Sequence, residues 1–225
     1  KGKRLGHITK DNPKPMLMLN GKPILEHNIL MCRIAGIKDI FINLHHLPNK
    51  ISDYFGDGKK FGVNITYNYE QEILGTAGAM LSFLDKLKEE SYYVIYGDNY
   101  TEFDLRDLKA YHESVKSEFT IVLHWADDIR QSGLAELDQD GMIFNFIEKP
   151  QLNSIEGGWV NSGIYYINPG VIDDLVSKNS DFAYDIIPKI IKRKQKLYGY
   201  KIENGFWAID TTDLLSKTID KLNVN

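Results

Sequence analysis

The residues that could do chemistry begin at the start of the chain, where Lys1, Lys3, Arg4, Lys10 and Lys14 gather with Gly2 inside sixteen positions punctuated by Pro13 and Pro15. Each proline fixes its own φ and biases the residue before it toward extended geometry, so Lys14 is held from both sides. A glycine lets backbone N–H groups approach an anion closely, and several cations aimed at one point suit a polyphosphate. A solvated basic loop is the plain alternative for such a run, and the rest of the chain weighs against it.

Asp98 follows the apolar run 92–96 behind Gly97. In open parallel sheets ligands sit off the carboxyl ends of strands, so this carboxylate reads either as a turn or helix cap or as a metal ligand. Gly97 favours the second, because it permits an unusual backbone or a close ligand. Glu148-Lys149-Pro150 closes the apolar run 143–147, and its lysine is either a solvated surface cation or a fixed, ligand-facing one. Asp210 follows Gly205-Phe206-Trp207-Ala208-Ile209 and precedes the last helical stretch, which it or Thr211 could cap. His45 and His46 have no cysteine or acid spacing around them and read as polar strand-end residues.

Alternating elements must position these groups. Helices are predicted at 23–35, 47–54, 76–89, 105–114, 169–177, 184–194 and 212–222. Strands are predicted at 39–43, 64–70, 92–96, 119–124, 160–167 and 197–202. A hairpin is predicted from 134–138 and 143–147 around Asp140-Gly141. Strands alternating with helices of this length imply βαβ units and a mostly parallel sheet, and an all-apolar strand such as 92–96 fits its middle. From about residue 126 the texture shifts to shorter strands, which reads as a lobe of the same domain.

The 225 residues, 43% hydrophobic and 26% charged, suffice for one large domain with a core. A net charge of −4 argues against non-specific nucleic-acid binding, which depends on summed positive charge. The single cysteine, Cys32, cannot form an internal disulfide and reads as a buried, inert thiol in a reducing compartment. No apolar run approaches the roughly 20 residues needed to cross a bilayer, and no signal-peptide pattern is present. The reading is cytoplasmic, with no membrane partner.

Six stretches in order resemble the sugar-1-phosphate nucleotidylyltransferases over nearly the whole chain. They are Gly2-Lys3-Arg4-Leu5 with Pro13-Lys14-Pro15-Met16, Leu74-Gly75-Thr76-Ala77-Gly78-Ala79, Gly97-Asp98, Glu148-Lys149-Pro150, Asn161-Ser162-Gly163, and Trp207 with Asp210. The resemblance implies an α/β, Rossmann-like three-layer α/β/α fold with a mostly parallel central sheet and a small sugar-binding β lobe. It implies a single domain over residues 1–225, with the sugar-binding part at about 126–210. It also implies a reaction in which a sugar 1-phosphate attacks the α-phosphate of a nucleoside triphosphate in line and pyrophosphate leaves. Such transfer depends on positioning and charge neutralisation more than on covalent help.

By the same resemblance, Arg4 stabilises the departing pyrophosphate, Lys14 contacts the phosphates, Lys149 the sugar phosphate and Glu148 a sugar hydroxyl. Asp98 and Asp210 match the metal-binding acids, with Mg²⁺ as the cofactor. Gly2, Lys3, Gln71, Gly75 and Thr76 fall at the nucleotide, and Gly133 and Asn161 at the sugar. The implied partners are an NTP and a sugar 1-phosphate, with a homo-oligomer left open. The stretches N-L-H-H-L-P and G-T-A-G-A are similar to mannose-1-phosphate guanylyltransferases and related uridylyltransferases, and of these GTP with a mannose- or heptose-type 1-phosphate is the expected pair. F-W-A-I-D-T-T-D is closer to the form in glucose-1-phosphate cytidylyltransferases, so uridylyl, cytidylyl and thymidylyl transfer stay open.

A non-catalytic nucleotide-sugar sensor on the same fold is the rival from another class. Arg4, Lys14 and Asp98 favour the enzyme, since a binding module has no need of a charge clamp on a leaving group. The family's first strand and the leading L-A-G-G of its glycine loop do not occur before Lys1. Residues preceding Lys1 are therefore expected in the native protein, and a chain expressed from Lys1 alone is expected to be poorly soluble or inactive.

Overall fold

Pro23 sets the extended backbone that enters the first helix, and Ile24, Leu25, Ile29 and Cys32 turn one side of that helix into the core. The computed structural model describes residues 11–151, 157–207, 209, 215, 216 and 218. In chain order its elements begin β1 (Met18–Leu19), β2 (Lys22–Pro23), α1 (Ile24–Ile34), β3 (Asp39–Leu44), α2 (Pro48–Phe55) and β4 (Asn64–Tyr69). They continue β5 (Tyr92–Ile95), β6 (Tyr100–Thr101), α3 (Leu105–Ser114), β7 (Phe119–Ala126), β8 (Gly133–Leu137) and β9 (Ile143–Glu148). The last are β10 (Gly158–Ile167), α4 (Ile187–Lys192), β11 (Leu197–Ile202) and β12 (Phe206–Trp207).

The chain forms two compact units. One comprises residues 1–72, 96–105 and 205–225, the other 73–95 and 106–204. In the first, β3 and β4 pair in parallel from Asp39↔Asn64 to Leu44↔Tyr69. Met16, Leu25, Ile29, Leu44, Phe55 and Ile65 belong to the core beside that pair. A second cluster joins Leu17, Leu19, Ile24, Tyr100 and Ile209. Cys32 is buried, and burial pushes its thiol up to about 12, so it stays protonated and unreactive as expected.

The second unit is built on one mixed sheet in the order β11-β7-β10-β8-β9, with β5 also paired to β10. Both β5 and β7 run antiparallel to β10, while β11 runs parallel to β7. The α/β class stands, but the mostly parallel sheet does not. Strand–helix alternation predicts that β5 and β7 share a direction, which they do; it cannot foresee that the long β10 inserts between them and runs the other way. Phe119, Tyr165 and Phe182 pack edge-to-face or tilted in the core of this unit. The expected hairpin is present, with the Asp138 carboxylate accepting from Asp140 N and Met142 N, and Gly141 at φ +87.

Two predicted helices are absent and a third is shortened. Residues 76–89 form 3₁₀ turns at Gly78–Ser82 and Leu84–Lys86. Ala77 N and Gly78 N both donate to Ser180 O, so this segment is tied to residues 177–180 at its start, and i→i+3 bonds follow. Residues 169–177 are turns, broken at Gly170 with φ +79. The stretch 184–194 becomes a π-helical turn at Phe182–Ile186 followed by α4, where Pro188 occupies the first turn. The terminal helix expected at 212–222 lies largely outside the described residues.

Candidate active site

In the first unit Pro13 is extended (φ −64, ψ 145) and Lys14–Met16 form one 3₁₀ turn, closed by Met16 N donating to Pro13 O at 2.8 Å. Pro13 is extended as its ring dictates, but Lys14 is not: it turns into the 3₁₀ helix despite preceding Pro15, because the Met16 N–Pro13 O and Leu17 N–Lys14 O bonds outweigh the local bias. Its ammonium donates to Asp98 Oδ2 at 3.0 Å, with 10% of the lysine side chain and 39% of the aspartate exposed. Asp98 sits in a tight turn closed by Asn99 N donating to Tyr96 O, and Asn28 Nδ2 on α1 donates to Asn99 O. Gly97 is not in the left-handed region; a Cβ there would meet only Leu25 Cδ1, at an ordinary 3.4 Å. Its absence of a side chain is not demanded by the fold of this turn.

Asp98 was expected as a metal ligand and Lys14 as a phosphate contact; the structure pairs the two. A carboxylate oxygen is the hard donor that Mg²⁺ takes, and one or two carboxylates plus phosphate oxygens and waters complete its shell. Asp98, partly exposed, fits that role in kind. Among the described residues no group of three or more His, Cys, Asp or Glu side chains is placed to hold a metal ion. Gly2, Lys3, Arg4 and Asp210 lie outside the described residues. Gln71 is exposed, and His45 Nδ1 is 2.9 Å from Glu70 O, as a polar strand-end residue would be.

The second unit brings together Gly133, Glu148 and Lys149. Gly133 is the register partner of Glu148 across β8 and β9, and a Cβ on it would fall 2.3 Å from Phe146 Cζ and 2.8 Å from Glu148 Oε2. Glycine here leaves room for that carboxylate. Burial pushes the Glu148 carboxyl up; the Lys149 ammonium, 3.7 Å from Oε1, pulls it down, and the Asp181 carboxylate adds a further upward push. Lys149 takes φ +51, uncommon for a residue with a side chain, while its N–H donates to Ser132 O.

Asn161 begins a break in β10, where Asn161 pairs with Leu123 but Tyr165 with Ile121, leaving two extra residues on β10. Its Oδ1 accepts from Gly163 N at 2.8 Å and its Nδ2 donates to the Tyr165 hydroxyl at 2.8 Å. The amide therefore shapes the bulge with both of its ends.

Gly75 has φ +83, and a Cβ there would lie 2.3 Å from Ser180 O. The neighbouring Thr76 Oγ1 donates to Asp181 Oδ2 at 2.7 Å and accepts from Phe182 N at 2.9 Å. The pair expected at the nucleotide base thus clips the start of the π-helical turn. Asp181 caps that turn, accepting from Ala183 N and Tyr184 N. Sequence reasoning missed Asp181, although an acid just ahead of an apolar helical run is a cap signal, and it missed Tyr184, which carries none.

His124, on β7, borders the β10 bulge. Its Nδ1 is 2.9 Å from Ser162 Oγ in the β10 bulge, and burial pushes the imidazole down to about 4. Burial lowers His112 too. Unfolded histidine titrates near ~6.5, so between about pH 6.5 and 4 the unfolded state binds the extra proton. The stability these histidines contribute is therefore full above about 6.5 and is lost as pH falls toward the folded value. Thermal unfolding from pH 7.5 to 5 should show a falling midpoint, less steep in His124→Gln. Equal slopes in parent and variant would contradict the assignment.

Three comparisons bear on this geometry. The family described as "Nucleotidyl transferase" matches residues 1–212. Mannose-1-phosphate guanyltransferase of Saccharomyces cerevisiae is 31% identical over 229 residues, covering 99% of this chain and 62% of that protein. UTP–glucose-1-phosphate uridylyltransferase of Synechocystis is 30% identical over 217 residues, covering 90% of this chain and 56% of that protein. The chain thus spans about three fifths of the length of these curated relatives. The crystal structure of HddC from Yersinia pseudotuberculosis complexed with GMP-PN superposes with a TM-score of 0.80 at 25% identity, over 97% of this chain and 93% of that one. These likenesses agree with a Rossmann-like α/β fold.

Proposed function

The chain belongs to the nucleotidyl transferase family, and on that basis we propose that it transfers a nucleoside monophosphate from an NTP to a sugar 1-phosphate, releasing pyrophosphate. The observation that carries this reading is the Lys14–Asp98 pair, a nearly buried lysine clamped between two prolines with its ammonium on a carboxylate. An oxygen of the sugar phosphate forms a bond to the α-phosphorus as the bond from that phosphorus to the bridging oxygen of pyrophosphate breaks. Lys14 and Arg4 neutralise the charge that gathers on the departing pyrophosphate. Bound Mg²⁺, held by Asp98 and Asp210, would add charge neutralisation at the phosphates.

Lys149 takes the sugar phosphate, while Glu148 and Asn161 orient the sugar beside the space left by Gly133. Gly2, Lys3, Gln71, Gly75 and Thr76 belong to the nucleotide. Residues 1–225 act as one nucleotidylyltransferase domain, with its sugar-binding part at about 126–210, in the cytoplasm. Among the described residues no helix is long and apolar enough to cross a membrane.

GTP with a mannose- or heptose-type 1-phosphate is the best-supported substrate pair. The yeast relative is named for mannose 1-phosphate and guanylyl transfer, and HddC was solved in complex with GMP-PN. The Synechocystis relative, named for UTP, favours uridylyl transfer as the second reading. Pyrophosphate release from the full-length protein, measured over all NTPs and a panel of sugar 1-phosphates, decides between them. A clear preference for CTP or dTTP would overturn the guanylyl reading, since one hydrogen bond can separate bases in such a site.

A further inference from the structure

The Lys149 ammonium donates to the Tyr184 hydroxyl at 3.4 Å and lies 5.6 Å from the centroid of the Tyr184 ring. With Glu148 Oε1 at 3.7 Å, the cation is held between a carboxylate and the phenolic hydroxyl. Tyr184 is 57% exposed, so core packing is not what fixes it. The π-helical turn does that work. Asp181 Oδ1 accepts from Ala183 N at 2.9 Å and from Tyr184 N at 3.4 Å, Asp185 Oδ2 accepts from Asp181 N at 2.7 Å, and Thr76 secures the other Asp181 oxygen. Single π-helical turns of this kind recur at functional sites.

A lysine carries four flexible methylenes and loses little by wandering, so one bound to a ligand gains from being held in place beforehand. Here the backbone at Lys149 is held at φ +51, and the hydroxyl of Tyr184 holds the end of its side chain. We propose that Tyr184 is a positioning residue for Lys149, orienting the ammonium for the phosphate of the sugar 1-phosphate and setting affinity for that substrate but not for the nucleotide. The inference rests on Lys149 being the sugar-phosphate cation.

Steady-state kinetics of the full-length protein with GTP and mannose 1-phosphate test it. Tyr184→Leu should raise KM for mannose 1-phosphate about three- to tenfold, the scale of one exposed hydrogen bond to a charged group, and leave KM for GTP and kcat within about twofold. Tyr184→Phe, which removes only the hydroxyl, should raise the same KM to a similar extent. In a Lys149→Met background, itself raised in the same KM, Tyr184→Leu should add nothing. Equal effects of Tyr184→Leu in both backgrounds, no effect at all, or parallel rises in both KM values would overturn the proposal. If Lys149→Met leaves the mannose 1-phosphate KM unchanged, the reading of Lys149 itself fails and the inference with it. A large Lys149 effect with none from Tyr184 would remove only the inference.

Discussion

Turnover of Asp98→Asn is expected to fall about a hundredfold or more, the scale of losing one well-placed electrostatic stabiliser. The substitution keeps the shape of the side chain and removes its charge. Lys14, with 10% of its side chain exposed, then loses the counter-charge 3.0 Å from its ammonium. The ammonium is no longer held where the carboxylate aimed it, and the hard oxygen donor for Mg²⁺ is weakened at the same step. Asp98 is 39% exposed, so solvent screening keeps the cost in stability to about 1 kcal/mol. Kinetics and thermal unfolding on the same preparation separate the two effects. Turnover within about threefold of the parent would remove Asp98 from the mechanism. Asp210→Asn should lose turnover likewise if that acid is the second ligand, and cost only about 1 kcal/mol of stability if it is a helix cap.

The largest structural effect is expected at Gly75. A Cβ there would stand 2.3 Å from Ser180 O and 2.9 Å from Ser180 C, both backbone atoms that no rotamer change can clear. The backbone at φ +83 adds strain of its own. Relief means moving residue 180, which accepts from Ala77 N and Gly78 N, and with it the Thr76–Asp181 bond. Gly170 is the control in the same unit, at φ +79 with nothing within 4 Å of its Cβ position. Gly170→Ala should cost about 1 kcal/mol of backbone strain, and Gly75→Ala about 2–4 kcal/mol. In a chain of this size each kcal/mol shifts the melting point by about 2–4 °C. Equal melting points for the two variants would show that the close approach to Ser180 carries no weight.

Local rules explain which parts were legible in the sequence. Helices α1, α2 and α3 and nearly all the longer strands were readable because side-chain periodicity and caps are set within a few residues. Lys14 and Asp98 could each be singled out, one by its flanking prolines and the other by its place after an apolar strand. Their pairing could not, because 84 positions separate them. The region 76–89 has the apolar pattern of a helix, and what overrides it is the packing of Gly75 and Gly78 on residues 177–180, a tertiary contact with no local signature. Strand direction is equally invisible to periodicity, and so the antiparallel course of β10 went unforeseen. Tyr184 escaped for a different reason. An exposed tyrosine is ordinary on any surface, and only its distance to Lys149 marks it.

The proposed reaction turns on a sugar 1-phosphate oxygen attacking the α-phosphorus of the nucleotide. It is tested most directly by giving the full-length protein GTP and mannose 1-phosphate labelled with ¹⁸O at its non-bridging phosphate oxygens, then weighing both products by mass spectrometry. GDP-mannose should carry all the label and pyrophosphate none. Label in the pyrophosphate, or tight binding of GDP-mannose with no turnover of any NTP and sugar 1-phosphate pair, would contradict it.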